Sequence, residues 1–194
     1  MKTLSFLFIV VALTISAQAQ TGKWTFDKNH SKISFTVAHM MISEVEGNFE
    51  KYDGTVLSDK PDFSDAKINF NIDPASINTD EPDRDKHLKS PDFFNVEKFP
   101  AITFVGKSMK STGKNTYQLT GDLTILGISK SVTLDAKYNG TVKDPRGNTK
   151  AGFKITGTIN RSDWGLKYNS VVDNGGVMIG EEVNILCNVE LVKN

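Results

Sequence analysis

Apolar and polar residues alternate at every second position through most of this chain, a period that suits β-strands and not helices. Ile33, Phe35 and Val37 alternate with Ser34, Thr36 and Ala38, and Ile68, Phe70 and Ile72 alternate with Lys67, Asn69, Asn71 and Asp73. Ile102 and Phe104 follow, then Tyr117, Leu119, Leu123 and Ile125. Val132, Leu134, Ala136, Tyr138 and Val142 make a further run, as do Phe153, Ile155 and Ile159, and last Val183, Ile185, Cys187, Val189 and Leu191. A short element around Trp24 to Asp27 precedes them all. Gly47 to Leu57 also reads as strand, but Phe49, Tyr52 and Val56 do not keep one parity, so a bend or bulge is expected there. Turn residues punctuate the runs at Gly113-Lys114-Asn115, at 144–148 (DPRGN) and at Asp173-Asn174-Gly175-Gly176. About eight such strands joined by short turns make an antiparallel sheet with one apolar and one wet face.

Periodicity does not decide whether that sheet packs on a second one or closes on itself. Two features favour closure into an eight-stranded antiparallel barrel: the long alternation at 117–126 and 131–142, and the rarity of helix that would cover an open sheet. In a barrel standing in water the apolar parity faces inward. That parity holds Ile33, Phe35, Val37, Ile68, Phe70 and Ile72, and further on Ile102, Phe104, Leu119, Leu123, Ile125, Phe153 and Ile155. These side chains either fill a core or line a cavity. His39 continues the parity of Phe35 and Val37 to the end of its strand, where it either hydrogen-bonds a ligand or sits as a satisfied rim histidine.

The alternation stops from Thr79 to Phe104 (TDEPDRDKHLKSPDFFNVEKFPAITF), over about 25 residues where a hairpin loop takes 2–5. The segment carries its own order signals. Pro82 suits the first position of a helical turn capped by Thr79 or Asp80, and Ser90-Pro91-Asp92 signals a second helical start. Leu88, Phe93, Phe94 and Phe99 are costly to leave in water, so the segment is expected to fold down onto the barrel as a short helical lid. Its Arg84, His87 and Lys89 either meet a phosphate or form local pairs with Asp83 and Asp85.

The first residues read as a cleaved leader. Lys2 precedes an apolar run from Leu4 to Ile15, too short to span a bilayer, and Ala17-Gln18-Ala19 is a small-residue cleavage site. The expected division is therefore a signal peptide over 1–19 and one domain over 20–194, periplasmic or secreted. No cysteine stands directly after the apolar run, so a lipid anchor is not expected. With the leader gone, 22 Lys+Arg stand against 23 Asp+Glu, a balance that argues against a nucleic-acid partner. Cys187 is the single cysteine, which precludes an internal disulfide, and its parity with Ile185 and Val189 points to a buried thiol. There is no G-x-S-x-G, H-E-x-x-H or nucleotide-binding glycine pattern, and the three histidines stand at no metal-ligand spacing. Nothing in the sequence asks for a catalytic residue, a metal or an organic cofactor.

Four ordered motifs carry a resemblance. RDKHLKSPDFFNVEKFPAITF (84–104), DKNHSKISF (27–35), GDLTILGISK (121–130) and NRSDWGL (160–166) resemble the successive motifs of the YceI-like family of periplasmic lipid-binding proteins. That resemblance implies a lipocalin-like barrel with a helical segment between strands. It implies that the inward parity lines an apolar tunnel for a long polyisoprenoid lipid, a quinone or polyprenyl phosphate, held for carriage or storage. An enzyme or redox accessory acting on such a lipid, with His39 or His87 as acid or base, is the alternative. The bound lipid would be the only small molecule required, and transient contact with membranes would accompany its exchange. Dimers occur in the family, but the sequence carries no interface signature for one.

Overall fold

The apolar parity closes on itself. In the computed structural model, which describes residues 22–171 and 176–194, eleven strands form one antiparallel sheet. They are β1 (Lys23–Phe26), β2 (Lys32–His39), β3 (Ser43–Phe49), β4 (Tyr52–Leu57), β5 (Lys67–Ile72), β6 (Ile77–Asn78), β7 (Ile102–Gly113), β8 (Thr116–Ile125), β9 (Ile128–Lys143), β10 (Thr149–Asn160) and β11 (Ile179–Lys193). β1 and β2, β3 and β4, and β5 and β6 are each one stave broken by a short irregularity. The architecture is therefore a closed eight-stranded antiparallel barrel with one short helix, as the strand lengths suggested. The expected leader at 1–19 and most of the turn at 173–176 lie outside the described residues.

The breaks are where the staves change partner. β11 pairs with β2 from Ile179 to Asn188 and with β1 from Leu191 to Lys193, so it seals the barrel across the kink at Asp27–Ser31. The break at Glu50-Lys51 resets the inward parity, which is why Phe49, Tyr52 and Val56 are all buried although they do not share one parity. β5 pairs with β7 only over Ile68–Ile72, and β6 pairs only with β3 among the described residues. That leaves a gap in the wall between β6 and β7, and the non-alternating segment fills it.

Within this segment α1 (Pro82–Lys89) is capped by Glu81, whose carboxylate accepts from the Asp83 and Arg84 N–H groups. The expected caps are otherwise engaged. Thr79 is buried and donates its N–H and hydroxyl to Asp85, while Asp80 has φ 60°. The second expected helical start does not form one. Ser90 instead closes α1, donating its N–H to His87, and residues 91–94 run on as turns.

The end of the barrel bearing the 58–66 loop is plugged. Phe63 is 2% exposed, with its ring 4.9 Å from Trp24, 5.0 Å from Phe153 and 5.6 Å from Tyr138. We call this end the floor, and the other end, where α1 and the 161–171 loop meet, the mouth.

Candidate functional site

Closing a barrel of eight staves leaves an interior that side chains just fill or just fail to fill. Here they fail. A cavity of about 270 Å³ runs inside the barrel. Of the residues expected on the inward parity, Ile33, Phe35, Val37, Ile68, Phe70 and Ile72 line it, as do Ile102, Phe104, Leu119, Leu123, Ile125, Phe153 and Ile155. Two aromatic rings lie flat on the wall because the neighbouring strand offers glycine beneath them. A Cβ at Gly47 would lie 2.4 Å from the Phe35 ring, and one at Gly121 would lie 2.4 Å from the Phe104 ring. Glycine opposite phenylalanine thus keeps bulky side chains out of the lumen axis.

His39 is the exception in the expected set. It pairs with Ser43 and Ile179 at the rim and is not among the residues lining the cavity. The strand ends there in a hairpin turn, so inward parity no longer means inward position.

The lid residues divide. Leu88, Phe93 and Phe94 line the cavity, with Phe94 edge-on to Phe49 at 5.8 Å. His87 faces Phe93 at 5.0 Å and Tyr168 at 4.8 Å, while its Nε2 lies 2.9 Å from Asp92. These contacts tie the lid to the loop after β10. Arg84 is not free for a ligand phosphate: its Nε donates to the Thr79 hydroxyl at 2.8 Å and its Nη2 to the Thr79 carbonyl at 2.7 Å. Phe99 does not reach the lumen either. Its ring lies over Gly127 on the β8–β9 turn.

Periodicity missed the one charged residue that lines the cavity among the described residues, Arg161. It is 6% exposed and, among the described residues, faces no carboxylate within ion-pair distance. Its Nε donates to the Gly180 carbonyl at 2.8 Å, and its Nη1 donates to the carbonyls of Leu166 at 2.5 Å and Tyr168 at 3.0 Å. Burial pulls its pKa below the usual guanidinium range, yet a guanidinium stays charged in a protein. Arg161 therefore pins the 161–171 loop to the start of β11 and leaves positive charge at the lumen wall. Nearby, Asn160 caps the short 3₁₀ turn Arg161–Trp164, and the Trp164 indole donates to the Leu123 carbonyl at 3.0 Å. The only signal for this was the NRSDWGL motif itself.

Cys187 lines the lumen opposite Ile33 and Ile155, and burial pushes its thiol up to about 11. One further group comes together that sequence spacing did not show. Asp27, His30 and Glu190 offer ligand atoms within 4.8 Å of one another. The Lys150 ammonium already stands 2.7 Å from both carboxylates and does there what a cation would.

The pattern that defines the YceI-like domain matches residues 24–191. A UPF0312 protein of Staphylococcus aureus (strain MSSA476) is 42% identical over 168 residues, which cover 86% of this chain and 95% of that one. The BcnA structure from Burkholderia cenocepacia superposes with a TM-score of 0.74 at 24% identity, covering 85% of this chain and 98% of that one. A polyisoprenoid binding domain from Saccharophagus degradans superposes at 0.68 with 12% identity, over 88% of this chain and 98% of that one. The match to the family pattern spans nearly the whole barrel, and the chain belongs to the YceI-like family.

Proposed function

We propose that this protein is an exported carrier that holds a long-chain polyisoprenoid lipid, of the quinone or polyprenyl phosphate type, in its barrel lumen. The observation that carries this reading is the lumen itself: closed at the floor, lined almost wholly by hydrocarbon and, among the described residues, charged only at Arg161 near the mouth. Such a cavity rewards an apolar chain and leaves one place for a polar head. The fold shared with a polyisoprenoid binding domain supports the same ligand class. Export, to the periplasm or beyond, rests on the leader pattern at 1–19. The alternative of an enzyme acting on the lipid would need an acid or base at the ligand, and neither His39 nor His87 lines the lumen.

A bilayer is already apolar, so transfer of the tail into the barrel gains little net free energy and selectivity falls to packing against the wall. The test is organic extraction of the purified protein followed by mass spectrometry. A stoichiometric, chemically unchanged long-chain isoprenoid is expected, and a protein that neither yields nor takes up such a lipid overturns the reading. Phe70→Lys, on the lumen wall, should abolish retention, whereas Asn69→Lys on the wet face should not.

A further inference from the structure

The β2–β3 hairpin ends in Met40-Met41-Ile42, and its backbone is unusual for those residues. Met40 and Met41 have φ 52° and 63°, and the Ile42 N–H bonds the His39 carbonyl at 3.2 Å. That is the geometry of a type I′ turn, which favours Asn-Gly because most side chains resist positive φ. Two methionines sit there instead, followed by an isoleucine, and the three are 38%, 68% and 83% exposed. Neither turn chemistry nor core packing accounts for them. Next to the tip, Met40 donates its N–H to the Met178 carbonyl, and the bridged pair Val171 and Val177 is 77% and 36% exposed.

The place of this tip in the fold says what covers it. It stands on the rim of the mouth, on the side where the lumen residues Val37, Ile159, Ile179 and Val183 are only half-buried, whereas Val56, Ala66, Met109 and Leu191 towards the floor are buried. Half-buried apolar side chains thus line the lumen on the side of the rim where the exposed tip stands. We propose that Met40, Met41 and Ile42 form a membrane-docking finger that inserts into the interfacial region of a lipid bilayer and sets the mouth against it. This rests on the reading of the lumen as a lipid site, because a bilayer is where such a lipid resides.

Two features single out this occupant and its composition. Three side chains on a narrow hairpin tip offer far less than the ~800 Å² per partner that a stable protein interface takes. Glu44, Glu46, Glu181 and Glu182 lie exposed beside the tip, with Lys167 the exposed base on the 161–171 loop. An acidic flank repels an anionic surface, so the finger prefers a zwitterionic bilayer, and added salt weakens the preference and not the insertion.

The experiment is flotation of the purified protein with phosphatidylcholine vesicles, and with vesicles in which about a third of the lipid is phosphatidylglycerol. The double variant M41D/I42D changes only exposed residues, and its thermal melt serves as the folding control. The wild type should float with phosphatidylcholine, less with the anionic vesicles, and the variant should bind about tenfold or more weakly. Lumen loading is measured separately by presenting a polyprenyl lipid in detergent micelles, where no bilayer is needed. Equal loading of both proteins with loss of flotation in the variant supports the finger. Equal flotation of both, no flotation of either, or a wild-type dimer that M41D/I42D converts to monomer overturns it. Failure of both proteins to load from micelles strikes the lumen reading and not the finger.

Discussion

Phe63 and Phe94 both enter the lumen from loops, one at each end, yet Phe63 is 2% exposed and Phe94 is half-buried. At the floor the loop is tied down on all sides. The buried Ser58 hydroxyl donates to Asp65 at 2.6 Å, Asp65 also accepts from the Asp59 and Lys60 N–H groups, and Asp59 accepts from Gly22. At the mouth the lid rests on ring contacts among His87, Phe93 and Tyr168; Phe93 is buried, but His87 and Phe94 are half-buried and Tyr168 is 38% exposed. Partly exposed partners mark the segments of a protein that open at lower cost. The floor is the more firmly tied end, and the mouth is the end expected to open at lower cost.

The strongest test of that contrast is at the floor. Phe63→Ala removes a ring that packs on Trp24, Tyr138 and Phe153, and large-to-small changes of this kind cost ~3–5 kcal/mol. A large fall in Tm is expected, and a fall no greater than that of Phe94→Ala would erase the distinction between the ends. Phe94→Ala should cost only about 1–2 kcal/mol, in keeping with its partial burial. Its larger effect is on access. Cys187 reports this from inside the lumen: its labelling by a thiol reagent should accelerate several-fold in Phe94→Ala and slow when lipid is bound. Labelling needs the thiolate, so with a thiol titrating at about 11 the rate should climb tenfold per pH unit across pH 7–10. A plateau near pH 9 would show that the thiol is not in an apolar lumen.

The smallest effect concerns the seam on the floor half of the barrel. The Lys150 ammonium, aided by His30 and the Asn29 N–H, holds the Asp27 carboxyl down at about 2, below its ordinary 3.8. A carboxylate depressed on folding adds stability that is present above its unfolded pKa and is lost as pH falls through the folded one. Lys150→Met should therefore lower Tm at pH 6, and the gap from wild type should close between about pH 4 and pH 2. A gap of equal size at both pH values would mean that Lys150 acts through packing alone.

Most of the lumen wall was legible because a barrel turns parity directly into position: every aliphatic residue placed inward on β2, β5, β7 and β8 is found there. Parity fails where strands end. His39 has the right register, but the hairpin turn begins at the next residue. In the lid, Ser90-Pro91-Asp92 carries a genuine start signal, yet Phe93 turns to the lumen and Phe99 to the β8–β9 turn, which no single helix face could serve. The cap of α1 was misplaced because Thr79 is spent on Asp85 and Arg84, a tertiary tie that local sequence does not show. Arg161 was invisible for a related reason: a lone arginine reads as surface until the carbonyls of 166, 168 and 180 are brought around it. Phe63 sits in Lys60-Pro61-Asp62-Phe63, a stretch that reads as an ordinary turn.

A shut floor makes the lumen a cul-de-sac, and for a carrier that geometry fixes the order of events. On the proposed reading the tail would go in first and come out last, so the head would face whichever surface the mouth meets. An incoming lipid has no rear exit through which to push its predecessor. Exchange would then pass through an emptied barrel: a carrier of this shape surrenders one lipid at the bilayer its mouth meets before it takes the next.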